Sequence, residues 1–345
     1  MNILEEKKLA NGELLRILHW CSPEKAPRKY MDYIAAAWGA ENPQFGQAFY
    51  TLNGWRGYFQ DAMQGKYFPD VIDHWFFAEI DGECAGRIWF AYSARSHRGN
   101  FGNVRTEPQY RQRGIMGELM KYCMAEIRRS PVKTLCCSTT NKFAAATYLK
   151  NGFHLIYGGE TGPLCFSGED LFLEQAKRAF AGKRITEIRP GGIGDQFDCD
   201  KFLTYIPELY HRELPVLTGP AALVDDYRLA YQEQIGGRSV VYVALNEQKE
   251  CCGYAFSIML AGGVAVLDFK IHPSYLTDAP RLIRAAAEAF HAKFGIFPVY
   301  YGLCSDTEKN KVLLEAGMEN TGRINGCLTI RKQPADMTVM QFRTN

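Results

Sequence analysis

The chain has 345 residues, 40 Lys and Arg against 38 Asp and Glu for a formal charge of +2, and 47% hydrophobic residues. That length favours two domains, and the near-neutral balance leaves no electrostatic footprint for nucleic acid or a membrane surface. No apolar run reaches about 18 residues and the opening M-N-I-L-E-E-K-K is not a signal peptide, so a cytoplasmic protein is expected. The 11 cysteines include the adjacent pairs Cys136-Cys137 and Cys251-Cys252 but no C-x-x-C spacing. They read as small buried hydrophobes in a reducing compartment, and no metal site is expected.

In chain order, residues 13–20 form an apolar strand, and 27–38 and 45–62 are helix-like with Gly, Asn and Pro breaks between them. Residues 72–80 and 84–92 flank Asp81-Gly82, a two-residue hairpin signal. Residues 101–106 make the next strand. From Val104 to Leu119 the chain reads V-R-T-E-P-Q-Y-R-Q-R-G-I-M-G-E-L. This is a strand end, a Pro-bearing turn and a basic glycine loop. It opens a helix over 112–129, whose apolar residues recur at Ile115, Leu119, Tyr122 and Ile127. The first N–H groups of a helix have no internal partner, so strand, glycine loop and helix N-terminus make an anion site. Gly114 and Gly117 allow close approach of a ligand, and Arg111 and Arg113 can add charge-assisted hydrogen bonds to phosphate. An ordinary basic turn before a helix would share the pattern.

Neither G-x-G-x-x-G nor G-x-x-x-x-G-K-[ST] occurs in this loop, which excludes the two commonest pyrophosphate cradles. Further on, a strand over 132–138 precedes N-K-F-A-A-A-T-Y-L-K-N-G-F, Asn141 to Phe153. On a helix Asn141, Ala144 and Tyr148 share one face, Gly152 supplies the stop, and Phe153 begins another strand over 153–157.

Together the two segments resemble motifs A and B of the GNAT superfamily of acyl-CoA-dependent N-acyltransferases. Arg111, Gln112, Arg113, Gly114 and Ile115 match motif A, while Met116 stands where the family usually has Gly or Ala and Gly117 follows one place later. The second segment matches N-x-x-A-x-x-x-Y-x-x-x-G-F at every named position. The resemblance covers roughly residues 10–167. It implies a mixed α/β (α+β) fold, with a central, mostly antiparallel, twisted sheet flanked by helices and two strands splayed to admit the coenzyme. It implies acetyl-CoA, or another acyl-CoA, as cosubstrate. The backbone of Val104, Arg105 and Thr106 would then pair with pantetheine, and Arg111 through Gly117, Met116 included, would hold the diphosphate. Asn141 would bond the pantetheine or phosphate arm, Ala144 would permit close approach, and Tyr148 would point its hydroxyl at the sulfur.

A charged amphipathic stretch, 168–183, reads as a connector, after which the same order recurs. Strands are expected at 184–189, 239–245, 251–259, 264–271 and 299–303, and helices at 223–235, 279–294 and 307–315. Gly317-Met318 sits where Gly152-Phe153 sits in the first half. This suggests a degenerate GNAT-like domain over 184–335 behind a catalytic domain over 1–167, with a tail at 336–345. Aligning Pro273 with Pro108 puts Leu276, Thr277, Asp278 and Ala279 where Arg111, Gln112, Arg113 and Gly114 stand. Asp306 takes the asparagine position and Leu313 the tyrosine position, so no second coenzyme site is expected. This half could serve packing, acceptor-site shape or a homodimer surface.

The implied chemistry is direct attack of an amine on the thioester. A phenol of pKa near 10 can return a proton to a thiolate, which makes Tyr148 the expected general acid. Base candidates are Asp73, His74, Glu79 and Glu107, or the chain's own C-terminal carboxylate, which some multi-domain relatives thread into the site. A satisfied strand histidine and a solvated turn residue are the plainer readings of His74 and Glu107. Tyr30, Tyr33, Trp38, Phe45, Tyr50, Trp55, Tyr58 and Phe59 could roof an acceptor pocket or simply pack the core. Neutral charge argues against histone-tail or polyamine acceptors, leaving a small amine, an amino sugar or an amino acid. A CoA-binding sensor with little turnover, or a transferase of longer acyl groups, would share these motifs.

Overall fold

The apolar runs on either side of Asp81-Gly82 become β3 (Val71–Ile80) and β4 (Glu83–Ser93), turned by two residues of positive φ (48° and 88°). Such a turn matches the right-handed twist of the strands it joins. The computed structural model describes residues 1–41, 55–156, 159–167, 172–204, 223–260, 262–330 and 333–343. The chain folds as two compact units, Met1–Gln175 and Ala176–Asn345.

In the first unit β1 (Asn2–Lys8), β2 (Leu14–Cys21), β3, β4 and β5 (Arg98–Thr106) pair antiparallel in that order. Next come β6 (Thr134–Thr139), β8 (Gly162–Ser167) and β7 (Phe153–Leu155), completing eight strands. The strands β1 and β8 were not anticipated from the sequence. β1, N-I-L-E-E-K-K, is a charged edge strand whose side chains carry no apolar alternation to read.

Both faces of the sheet are covered, so β3 is buried almost throughout instead of alternating. On one face lies α3 (Ile115–Arg129), which buries Ile115, Leu119, Met120, Cys123, Met124 and Ile127 against Ile17, Phe76, Ile88, Phe90 and Phe101. Burial of six such side chains is worth on the order of 10 kcal/mol before entropy is counted. On the other face Tyr30 of α1 (Arg28–Glu41) packs on Phe77, and Phe59 of α2 (Trp55–Ala62) meets Trp75 and Trp89 edge-on at 5.3 Å each. Tyr30, Tyr58 and Phe59 are therefore core residues, and Tyr33 is partly buried. The side chains of Trp38, Phe45, Tyr50 and Trp55 lie outside the described residues.

The parallel pair is β5 with β6, and its register spans three residues, Arg98–Asn100 opposite Thr134–Cys136. Beyond Asn100 the strands part. Connected to β6 is α4 (Lys142–Lys150), which ends at Gly152 with φ of 94°.

The short helix α5 (Phe172–Ala179) crosses the boundary between the units. In the second unit β9 (Ile185–Pro190), β10 (Ser239–Asn246), β11 (Cys251–Met259) and β12 (Ala265–Ile271) form an antiparallel sheet. The helices are α6 (Leu223–Ile235), α7 (Ala279–Phe294) and α8 (Thr307–Glu315), and α7 buries Leu282, Ile283, Ala286 and Ala287 in the core. A second sheet holds β13 (Tyr300–Leu303), β15 (Gln333–Phe342) and β14 (Met318–Ile330), in that order. The stretch from residue 336, expected as a tail, is instead mostly β15, paired on both sides. Its inward positions include a polar residue, Thr338, which hides the alternation that would have announced a strand. Among the described residues no helix is long and apolar enough to cross a membrane.

Candidate active site

The distortion of β5 starts the site. Arg105 faces Arg87 but Gly102 faces Trp89, so Ile88 is opposed by two residues, Asn103 and Val104, and Asn103 has φ of 53°. A bulge of this kind bends the strand and re-aims its backbone groups. After the strand, Pro108–Tyr110 make a single 3-10 turn, and Gln112 and Gly114 both adopt positive φ, 63° and 76°. Gly114 is the N-cap of α3 and no side chain caps the helix. The first-turn N–H groups of Ile115, Met116 and Gly117 are thus open to an anion. The acidic residue of that turn, Glu118, is engaged by Lys7 at 2.7 Å and Lys121 at 3.4 Å, which offsets its repulsion of an anion.

Where β5 and β6 diverge lies a cleft of about 670 Å³. Its wall takes Val104, Arg105 and Thr106 from β5, Arg111, Gln112 and Gly114 from the loop, and Ile115, Met116 and Gly117 from α3. α4 contributes Ala144 and Tyr148, with its N-cap Asn141. Met116 also packs on the core, so its side chain is only partly available to a ligand. A Cβ built on Gly117 meets nothing within 4 Å, which leaves the first turn of α3 bare on the cleft side.

Arg113 is not part of that wall. Its guanidinium bonds Glu13 at 2.6 Å and the Gln109 carbonyl at 3.0 Å, and it lies over the Tyr110 ring. Arg111 does line the cleft, steadied by its Nε donating to the Thr106 carbonyl at 3.2 Å. Asn141 uses Oδ1 to accept from the Phe143 and Ala144 N–H groups at 2.9 and 3.2 Å, so what it can offer a ligand is its amide Nδ2. Three wall residues escaped the sequence reading: Tyr110, Phe143 and Thr147. Thr147 stands three residues after Ala144 and one before Tyr148, so the helical period alone could have found it.

Tyr148 is 6% exposed, with the Phe101 ring edge-on at 5.3 Å and Phe153 at 5.8 Å. Burial, with a smaller contribution from Cys137, pushes its phenol above the usual range. The same burial would penalise a thiolate formed beside it, so the pair's relative acidities are not set by burial alone.

The four base candidates lie off the wall. Asp73 accepts from the Trp89 indole at 3.0 Å, and Glu79 accepts from the Tyr30 hydroxyl at 2.9 Å and from Lys29. His74 has one ring nitrogen 3.0 Å from His19 Nε2 and the other 3.7 Å from Cys21 Sγ. Burial, with the neighbouring His19, pulls its imidazole down to about 3, too weak for a base at neutral pH. Glu107 is closest in the chain to the cleft and holds one of its wall residues: Arg105 Nε and Nη2 donate to it at 2.6 and 2.9 Å. Burial alone would raise its carboxyl, but Arg105, the Tyr33 hydroxyl and the Arg87 charge outweigh that and hold it below the ordinary value. Among the described residues no group of three His, Cys, Asp or Glu side chains could hold a metal. Of the stretch 337–345 that leads to the C-terminal carboxylate candidate, residues 337–342 are part of β15, and the last two residues, with that carboxylate, lie outside the described ones.

Residues 14–153 match the sequence profile of the acetyltransferase (GNAT) family. They are a GNAT domain. No curated protein matches the chain. Structures similar to it include yncA from Salmonella typhimurium, solved with its cofactor acetyl-CoA, at 15% identity over 46% of this chain and 94% of that one, TM-score 0.39. The ribosomal-protein-alanine N-acetyltransferase of Brucella melitensis shares 15% identity over 45% and 98%, TM-score 0.37. The spermidine N-acetyltransferase of Vibrio cholerae, solved with CoA and spermine, shares 16% over 45% and 94%, TM-score 0.34.

Two outcomes follow from this geometry. Gly117→Ala should leave the GNAT domain as stable as before, or up to about 1 kcal/mol more stable because helical glycine is unfavourable. It should also weaken binding of a diphosphate ligand several-fold; thermal melts and calorimetry read the two effects separately. His74 is native as the neutral ring, and unfolding restores a value near 6.5, so protonation favours the unfolded chain. Its stabilising contribution is complete above about pH 6.5 and is lost as pH falls toward 3. In His74→Phe that limb should flatten, as followed by urea midpoints between about pH 6.5 and 4.

Proposed function

We propose that the GNAT domain transfers an acyl group, acetyl in the simplest case, from acyl-CoA to a primary amine of a small molecule. The observation that carries this is one cleft with two unlike ends. At one end are the open N–H groups of α3 and Arg111, at the other the buried hydroxyl-bearing ring of Tyr148. The first end suits a diphosphate, held by backbone N–H groups and a guanidinium. The second suits a sulfur atom, since a neutral phenol can donate to a developing thiolate. Between them the bulged backbone at Asn103 and Val104 supplies the candidate N–H for the thioester oxygen, a contribution of about 3 kcal/mol when aligned.

Tyr148 then serves as general acid, stabilising the departing thiolate and passing it a proton. Glu107 is the best-placed base among the four candidates. Ionised at neutral pH and tied to Arg105, it would draw the amine proton through a water, since it does not line the cleft itself. With Glu79 bound by Lys29 and Tyr30, and Glu107 by Arg105, the carboxylates here are already matched by cations and donors. That favours a monoamine over a polyamine acceptor. A cytoplasmic setting suits acyl-CoA as donor.

The second unit, in this reading, is a degenerate copy that binds no CoA. Three features support that. The β11–β12 register runs unbroken from Gly253↔Ile271 to Met259↔Ala265, without a bulge. Lys309 stands eight residues before Gly317, as Ala144 stands eight before Gly152. Its ammonium is 2.5 Å from Asp268 and lies over the Phe269 and Tyr300 rings, which fills the place where β12 and β13 diverge. Asp278, at the Arg113 position, accepts from the Ile185 N–H at 2.8 Å.

Thiol release from acetyl-CoA across a panel of small amines tests the activity, and stabilisation by CoA without release on any amine would refute it. With an accepted amine, Tyr148→Phe should lower kcat about 100-fold or more with little change in KM for the donor. Near wild-type kcat in that variant would remove Tyr148 from the mechanism. Calorimetric titration of the full chain should give one CoA per chain.

A further inference from the structure

Among the described strands, β6 and β8 are the one pair whose register sets two cysteines directly opposite each other, Cys136 and Cys165. Opposed residues of an antiparallel pair point to the same face, with Cα atoms about 4.5 or 5.5 Å apart. A disulfide spans Cα separations of about 4.4–6.8 Å, so the backbone here already has the reach of one. Both thiols are buried, at 4% and 1% exposure, and they form one small cluster with Phe172 at the start of α5. Cys137, the chain neighbour of Cys136, is no competitor for Cys165. Successive strand residues point to opposite faces, and Cys137 packs with the core cluster that holds Tyr148. His154, exposed, faces Cys165 from its other side on β7, so an imidazole in contact with water stands in the same row.

The position of the pair in the sheet gives it a task. Cys136 is the last residue of β6 to pair with β5, opposite Asn100. Beyond it β6 is held by β8 alone, and the segment between the two cysteines, residues 137–164, carries α4 and β7. We infer that Cys136 and Cys165 are a redox-controlled staple: a dithiol in a reducing setting, which hydrogen peroxide closes to a disulfide across β6 and β8. One sulfur takes an oxygen from the peroxide and becomes a sulfenic acid, and its thiol proton leaves with the remaining hydroxide as water. The second sulfur attacks the sulfenic sulfur, which forms the S–S bond and releases a second water. The two sulfurs are oxidised and the peroxide is reduced; a dithiol reductant restores both thiols by exchange. Closing the loop over 137–164 removes freedom from the unfolded chain, so the oxidised form is the more stable one.

Treating the full-length chain with a small excess of hydrogen peroxide, followed by alkylation, tests this. The expected product lacks two hydrogens, and its peptide map joins Cys136 to Cys165 and leaves Cys137 alkylated. It should melt several degrees above the reduced chain, and dithiothreitol should return mass and melting temperature together. Cys165→Ala should show no such rise, whereas Cys137→Ser should keep it. If Cys165→Ala does not fold, the map and melt of the wild-type chain decide alone. Irreversible oxidation of the two sulfurs, or a bond from either to another cysteine, overturns the assignment. So does a pair that stays reduced under peroxide that oxidises the exposed Cys327. A mapped Cys136–Cys165 bond with no rise in melting temperature refutes the staple.

Discussion

The first unit depends on a parallel strand pair that is allowed to fail. β5 and β6 share a register of three residues and then separate. Up to that point the sheet is continuous and covered on both faces; past it, the end of β5 and the helix that follows β6 line a cleft. A sheet that parts in its interior exposes strand edges, and backbone N–H and C=O groups along such edges call for new partners. The bulge at Asn103 and Val104 sits on the β4-facing side of the same strand, so the strand that ends one pairing is also distorted in the other. The N-termini of α3 and α4 follow the two diverging strands, which brings an uncapped helix end and an asparagine-capped one to the same opening.

Around this opening the charges are arranged by pairing. Glu118 is answered by Lys7, Glu107 by Arg105, and Glu79 by Lys29 and Tyr30. The result is a site whose free electrostatic capacity is concentrated in backbone N–H groups and Arg111, suited to an anion at one end, with a neutral phenol at the other. The ring stack of His19, His74 and Phe90 on β2, β3 and β4 is by contrast a packing device, dehydrated enough that its imidazole stays neutral.

The proposed relation between the two units rests on local detail. Where the GNAT domain has alanine, Lys309 supplies a cation to Asp268, and the second unit's diverging strands are closed by an ion pair and two rings. An ion pair this sheltered tolerates loss of either partner poorly, because the survivor would be a buried charge. In the proposal, what a bound coenzyme does for the first unit is done permanently by side chains in the second.

Much of the framework was readable because the signals are local. The Asp81-Gly82 turn, the periods of α3 and α7, the glycine stops at Gly152 and Gly317, and the order Arg111 to Gly117 before Asn141 to Gly152 all depend on residues near one another in the chain. Those signals placed most of the elements and gathered the loop and α4 residues into one candidate site. What the sequence could not determine are relations made across the sheet. That Arg113 turns to Glu13, a hundred residues away, that Glu107 is captured by Arg105, and that His74 is locked between His19 and Cys21 follow from strand register and from which face each side chain takes. The strand β15 was missed for the same reason: its polar Thr338 is inward only because two neighbouring strands make that side an interior. Local pattern sets which elements form; burial and register, which exist only once distant segments meet, set which side chains are available for chemistry.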